Sequence, residues 1–185
     1  MTKAQLTVLA GPTAVGKGTV VAALTKRYPA LKVSVSATTR DPRPGELNGV
    51  HYYFVSPQEF DAMIERGDML EWALVHGKNK YGTPRGPVDE ALNAGNPVLL
   101  EIDLAGARQV RANRPDAQFI FLAPPAWEEL QRRLIGRGTE GPEEQARRLA
   151  TARVELEAAS EFDHVVINDD VERAVDELAR LIGLE

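Results

Sequence analysis

The strongest constraint in this chain is the seven-residue loop Gly11-Pro12-Thr13-Ala14-Val15-Gly16-Lys17, set between the apolar run Leu6 to Ala10 and a helical pattern, VVAALTKRY, that stops at Pro29. Its spacing is G-x-x-x-x-G-K, in the strand-then-helix context that gives the motif physical meaning. Glycines let consecutive backbone N–H groups converge on phosphate oxygens. The helix N-terminus adds partial positive charge, and Lys17 supplies a full one. The hydroxyl that commonly follows the lysine is displaced by one residue, since position 18 is Gly and Thr19 carries it. Gly11 to Thr19 therefore predicts a cradle for nucleotide phosphates, which implies binding but names no reaction.

The rest of the chain repeats the strand-and-helix rhythm. Residues 33–37 (VSVSA), 97–103 (PVLLEID), 117–122 (AQFIFL) and 164–167 (HVVI) read as short apolar strands, with helical patterns from Leu104, from Pro125 and from Asp170 to Ile182. Alternation of this kind predicts an α/β fold, a parallel sheet flanked by helices. At 185 residues the chain is long enough for one sizeable core with insertions. Two insertions interrupt the rhythm. Residues 38–90 are turn-rich and contain the alternating run HYYFV, an N-cap sequence Ser56-Pro57-Gln58-Glu59, a helix stopping near Gly67, and strand patterns in LEWALV and Lys80 to Thr83. Residues 126–158 hold two helical patterns around a GRGTEGP turn. The predicted division is a core of 1–37, 91–125 and 159–185, a small α+β insertion, and a helical lid.

Composition narrows the chemistry. There is no cysteine, which excludes disulfides, thiolate catalysis and cysteine-ligated zinc, and three scattered histidines (His51, His76, His164) leave little for a transition-metal site, so a metal would have to use oxygen ligands. A net charge of −5 argues against a general nucleic-acid-coating protein. No run approaches the ~20 apolar residues of a spanning helix, and the Leu6 to Ala10 run is too short for a signal-peptide core, so a cytoplasmic protein without membrane association is expected. Of the 22 bases, 16 are Arg, whose planar fork matches phosphate oxygens in pairs. A GC-rich genome would give the same excess, so placement has to decide.

The most distinctive stretch is Ser36 to Phe54, SATTRDPRPGELNGVHYYF. Two arginines three apart, a serine and a tyrosine arriving after a turn could close on a second phosphate. With the phosphate loop in place, the chain resembles bacterial guanylate kinases from about Leu6 to its end, through S-x-T-T-R-x-x-R-x-G-E-x-x-G-x-x-Y-x-F, then L-E-W-A, Y-G-T, E-I-D, G-R-G-T-E and V-I-N-D-D. The resemblance implies a phosphate-loop kinase core with a GMP-binding insertion and a mobile lid. It implies that Ser36, Arg40, Arg43, Tyr52 and Tyr81 hold the GMP phosphate and that Glu71, Thr83 and Asp103 read guanine. Guanine presents two adjacent N–H donors and a carbonyl acceptor on its pairing edge, so a carboxylate can accept twice while a hydroxyl donates. Adenine reverses that polarity, and a site of buried polar pairs rejects it because its own groups are left unpaired.

The same resemblance implies ATP on Gly11, Pro12, Thr13, Ala14, Val15, Gly16, Lys17, Gly18 and Thr19, helped by Arg133, Arg137 and Asn168, with Thr19 near Mg²⁺. Glu101 and Asp103, at a strand's C-terminal edge, could serve guanine recognition or a water-mediated Mg²⁺ contact. Lys17, Arg40, Arg137 and Arg148 are the expected catalytic cations, while Arg132, Arg147 and Arg153 read as exposed partners of neighbouring glutamates. Two positions depart from the family pattern: the segment between Glu71 and Tyr81 is one residue longer than in many relatives, and Ala105 stands where Gln is common. The implied reaction is ATP + GMP ⇌ ADP + GDP, with Mg²⁺ as cofactor. The alternatives are another small-molecule kinase, such as a ribose 1,5-bisphosphate phosphokinase, and a non-catalytic interaction domain.

Overall fold

The structure, a computed structural model, describes residues 4–136 and 138–185. Strand β1 (Leu6–Ala10) is buried along its whole length, as a continuous apolar run in the middle of a parallel sheet should be. It lies between β7 (Val98–Glu101) and β8 (Gln118–Ala123), with β2 (Lys32–Val33) and β9 (His164–Ile167) outside them. All four pairings are parallel, and Leu9 opposite Glu101 and Ala10 opposite Phe121 set the register.

Because side chains alternate along a strand, β1 feeds two cores. Leu9, with Leu99, Ile120 and Leu122, packs beneath α1 (Lys17–Arg27) and α7 (Val171–Ile182), where Val20, Leu24, Val175 and Leu178 fill the layer. Val8 and Ala10, with Leu100 and Phe119, face α3 (Arg85–Asn93) and α4 (Leu104–Asn113) through Val88, Leu92, Ala107 and Val110. Each such leucine or valine removed from water contributes roughly 1.5–3 kcal/mol before entropy is counted. The sheet is thus covered on both faces, and its loops are left to carry chemistry at the strands' C-terminal ends.

A second sheet of four strands has the order β4 (Tyr53–Phe54), β3 (Ala37–Thr38), β6 (Asn79–Pro84), β5 (Met69–Val75). Helix α2 (Pro57–Glu65) covers it, with Phe60, Ala37 and Met69 forming a small core of their own. The Ser56 hydroxyl accepts the Glu59 N–H at 3.1 Å, so the expected N-cap is present. The Glu59 carboxylate accepts from Arg66 at 3.3 Å. Past the second sheet and β8, α5 (Trp127–Ile135) and α6 (Pro142–Glu157) pack against each other, and a 3-10 turn (Ala158–Glu161) leads to β9.

Three elements differ from the sequence expectation. The run 33–37 is not one strand: β2 belongs to the first sheet and β3 to the second. Between them the Ser34 N–H donates to the Leu99 carbonyl at 3.0 Å and the Ser36 carbonyl accepts from the Tyr53 N–H at 2.9 Å, so one apolar run crosses from sheet to sheet. Helix α3 was not anticipated, because Gly86-Pro87 at its start imitates a turn. Helix α5 begins at Trp127, two residues after the expected Pro125, since Ala126 is extended at φ −154°. No helix among the described residues is long and apolar enough to cross a membrane.

Candidate active site

The phosphate loop leaves β1 and enters α1 through two residues with left-handed backbone, Ala14 at φ 70° and Gly16 at φ 97°. Gly16 is required twice over. Its φ disfavours a side chain, and a Cβ there would lie 2.8 Å from the Asn168 amide nitrogen. A Cβ on Gly11 would collide with the Leu122 carbonyl oxygen. The loop is held from outside by the Val15 carbonyl, which accepts from Asn168 Nδ2 at 2.8 Å and Arg133 Nη1 at 3.2 Å. Asn168 is buried after β9 and Arg133 lies on the last turn of α5, so both sequence-expected residues reach the loop through its backbone.

Lys17 Nζ donates to the Gly11 carbonyl at 2.6 Å, spanning the mouth of the loop. Burial lowers its pKa, while the carboxylates of Glu155, Glu101 and Asp103 oppose that shift. Glu155, on α6, is itself raised by burial and held down by Lys17 and by the Thr13 backbone N–H. Thr19 sits exposed in the first turn of α1.

A second cationic cluster lies in the loop after β3. Arg40 grips Glu46 with both arms, Nη1 to Oε1 at 2.8 Å and Nη2 to Oε2 at 3.0 Å, and the Arg43 N–H donates to Glu46 Oε1 at 2.7 Å. The Arg40 guanidinium and the Arg43 N–H hold the Glu46 carboxyl down to about 2. The Arg40 guanidinium also sits 5.2 Å from the centre of the Tyr52 ring, and Tyr52 meets Tyr81 edge-on at 6.0 Å between centres. Arg40, Tyr52 and Tyr81, 41 residues apart at the extremes of sequence, are brought together. Ser36 is half-buried at the start of β3. Arg43 is exposed, and its guanidinium makes no hydrogen bond among the described residues.

The third group forms where β5 and β6 pair. Glu71 stands opposite Thr83, and the Thr83 hydroxyl, fully buried, donates to Glu71 Oε1 at 2.8 Å. Burial raises the Glu71 pKa, the Thr83 bond opposes this, and the neighbouring Asp103 adds to the rise. Asp103 caps α4, its Oδ1 accepting the Gly106 N–H at 2.8 Å. A Cβ on Gly106 would lie 3.1 Å from Asp103 Oδ1 and 3.2 Å from Glu71 Oε2, so the two carboxylates flank this glycine. The long segment after Glu71 is absorbed in the β5–β6 turn, where His76 at φ 52° and Gly77 at φ 65° reverse the chain and leave Ala73 opposite Tyr81. Ala105 lies exposed in the first turn of α4.

The arginines expected of the lid divide. Arg137 lies outside the described residues. Arg148 pairs with Glu140 at 2.6 Å and Glu144 at 3.6 Å on the rim of a cleft of about 450 Å³, shared with Ala14, Arg133 and Gly138. Arg147 pairs with Glu144 at 3.1 Å as expected, whereas Arg153 stacks on Trp127 at 4.3 Å. Of the histidines, His51 Nδ1 accepts the Leu47 N–H at 2.9 Å, a loop-holding bond.

Residues without a sequence-level role also reach the site: Glu46 beneath Arg40, Glu155 beside Lys17, and Gln109 of α4 on the β5 backbone. Glu46 could have been found from the G-E of its motif. Gln109 and Glu155 carry no local signal.

Comparison with known proteins gives a consistent result. A family model described as Guanylate kinase matches residues 3–185. The chain is 62% identical over 177 residues to the guanylate kinase of Leifsonia xyli, covering 96% of this chain and 70% of that protein. It is 61% identical over 179 residues to that of Thermobifida fusca, covering 97% and 91%. The crystal structure of guanylate kinase from Anaplasma phagocytophilum superposes with a TM-score of 0.72 at 30% identity, covering 99% of this chain and 86% of that one. Shikimate kinase from Bacteroides thetaiotaomicron, at 14% identity and a TM-score of 0.51, shares the fold alone.

Proposed function

The chain belongs to the guanylate kinase family, and from that premise we propose that it transfers the γ-phosphate of ATP to GMP, giving ADP and GDP, with its residues divided among three tasks. The backbone of Gly11 to Thr19 and the Lys17 ammonium receive the ATP phosphates, while Arg133 and Asn168 keep that loop in shape by holding Val15. Arg40, Arg43, Ser36, Tyr52 and Tyr81 take the GMP phosphate. Glu71, Thr83 and Asp103 read the base. In this reading residues 38–90 form the GMP-binding insertion on the core, and residues 126–158 are the lid that brings Arg137 and Arg148 to the transferring group.

The observation that carries the proposal is the meeting of Glu71, Thr83 and Asp103 at Gly106, with Asp103 facing the Lys17 ammonium of the phosphate loop. A half-buried carboxylate already accepting one hydroxyl hydrogen bond and a second carboxylate alongside it make a corner for N–H donors, the feature guanine has and adenine lacks on its pairing edge. Thr83 would turn its hydroxyl from Glu71 toward the guanine carbonyl when the base enters.

The acceptor is itself a phosphate with a second pKa near 6, so it is largely ionised at neutral pH and needs no general base. The barrier lies in bringing two anions together and stabilising the in-line transfer, which Lys17, Arg40, Arg43, Arg137 and Arg148 address as positioned cations. Mg²⁺ prefers oxygen donors and few protein ligands, and the exposed Thr19 hydroxyl with the Glu101 and Asp103 carboxylates near Lys17 is a donor set of that kind. When bound with ATP it supplies further positive charge on the phosphate oxygens. Enclosure of both nucleotides would exclude water from the transfer.

ADP release from ATP, measured with GMP, AMP, UMP and ribose 1,5-bisphosphate in turn, tests the proposal against its rivals. GMP should be the preferred acceptor. Preference for the ribose bisphosphate would make the chain a different small-molecule kinase, and no transfer to any acceptor would make it an interaction domain.

A further inference from the structure

Strand β5 is an outer strand of the second sheet, so among the described residues the N–H and C=O groups on its far side have no neighbouring strand. Helix α4 supplies what a strand would. The Trp72 N–H donates to Gln109 Oε1 at 3.0 Å and Gln109 Nε2 donates to the Trp72 carbonyl at 2.9 Å, so one side-chain amide pairs both backbone groups as a facing peptide would. Four residues along, Asn113 Nδ2 donates to the Leu70 carbonyl at 2.9 Å. The spacing explains why both bonds fit: four residues of helix advance about 6 Å, and two residues of strand about 6.6 Å.

Glu71 is the residue between these two anchored positions. The turn of α4 preceding Gln109 contains Gly106, whose missing side chain leaves room for Glu71 Oε2, and the helix is capped by Asp103. One helix therefore carries the Asp103 carboxylate, the space that admits Glu71, and the two amides that fix the backbone on either side of Glu71.

We propose that Gln109, assisted by Asn113, is a positioning residue for base selection: by pairing the backbone of Trp72 and Leu70 it fixes the Glu71 carboxylate against Asp103, where a guanine edge is distinguished from an adenine edge. The proposal rests on the reading that Glu71 meets guanine. In this role Gln109 acts through the backbone of β5, to which both ends of its amide are bonded.

The test compares kcat/KM for GMP and for AMP, together with KM for ATP and the melting temperature, in the wild type, Glu71→Ala, Gln109→Leu and Gln109→Glu. Leucine fills the same space without pairing Trp72, so Gln109→Leu should raise KM for GMP and lower the GMP-to-AMP preference by about tenfold, less than the full worth of two hydrogen bonds because the loss reaches the base only through Glu71. KM for ATP should stay at the wild-type value. Glutamate keeps the acceptor for the Trp72 N–H but faces the Trp72 carbonyl with an oxygen, so it should lower the preference too, and it carries the test if the leucine variant does not fold. A wild-type preference in the Gln109 variants, with the preference lost in Glu71→Ala, overturns the positioning role alone. An equal fall in kcat for both acceptors with a lower melting temperature and no change of preference also overturns it, since that is a merely structural role. An unchanged preference in Glu71→Ala overturns the guanine reading beneath it.

Discussion

At the scale of single residues, Glu46 shows how the site prepares its cations. The Arg40 and Glu46 side chains are 13% and 19% exposed, and their two-armed pair leaves the guanidinium fixed before any phosphate arrives. The folded-state pKa of Glu46, about 2, lies below the ordinary 4.5. Its contribution to stability is therefore complete above pH 4.5 and is lost as the pH falls toward 2. Glu46→Gln should flatten the fall of melting temperature in that acid window and raise KM for GMP at neutral pH, because Arg40 loses its brace. An acid limb identical to the wild type would count against the brace. Lys17 is the complementary case. Its one hydrogen bond among the described residues goes to Gly11, so Lys17→Ala should leave the protein folded by thermal melting while kcat falls by about 10²–10³, the loss expected for one preorganised charge at a developing anion. Activity within a few-fold of wild type would remove Lys17 from the transfer.

At the scale of elements, the phosphate loop contrasts two glycines that look alike in sequence. Gly16 is left-handed and abuts Asn168, whereas a Cβ on Gly18 meets nothing within 4 Å among the described residues. Gly16→Ala should lower the melting temperature and weaken ATP binding by isothermal titration. Gly18→Ala, inside α1, should raise stability by about 0.5–1 kcal/mol through helix propensity. Equal melting temperatures for the two variants would contradict the strain assigned to Gly16. The loop itself was legible because its seven residues are contiguous and their spacing encodes backbone geometry directly. The strands β1, β7, β8 and β9 were legible as continuous apolar runs for the same reason. What escaped depends on distant partners. Residues 33–37 show one apolar run locally, and only the pairing with Leu99 on one side and Tyr53 on the other divides it between two sheets. Gln109 finds Trp72 across 37 positions and Asn168 finds Val15 across 153, contacts that no local pattern records.

At the scale of the whole molecule, the arginine surplus resolves by location. Arg27, Arg66, Arg108, Arg114 and Arg173 pair with surface carboxylates, contacts worth little individually in water. Arg133 and Arg148 border the cleft beside the phosphate loop and Arg40 belongs to the second cationic cluster, each also paired with a glutamate, so a chain of net charge −5 gathers positive charge in these places. The start of α1 supplies Lys17, the second sheet supplies Glu71 and Thr83, and α4, capped by Asp103, packs on β5. A crystal structure of the protein with GMP shows whether these parts form one acceptor site. The guanine edge should lie on Glu71 and Thr83 with Asp103 beside it, and the phosphate among Ser36, Arg40, Arg43, Tyr52 and Tyr81. GMP bound with its base elsewhere, or its phosphate away from Arg40, would contradict it.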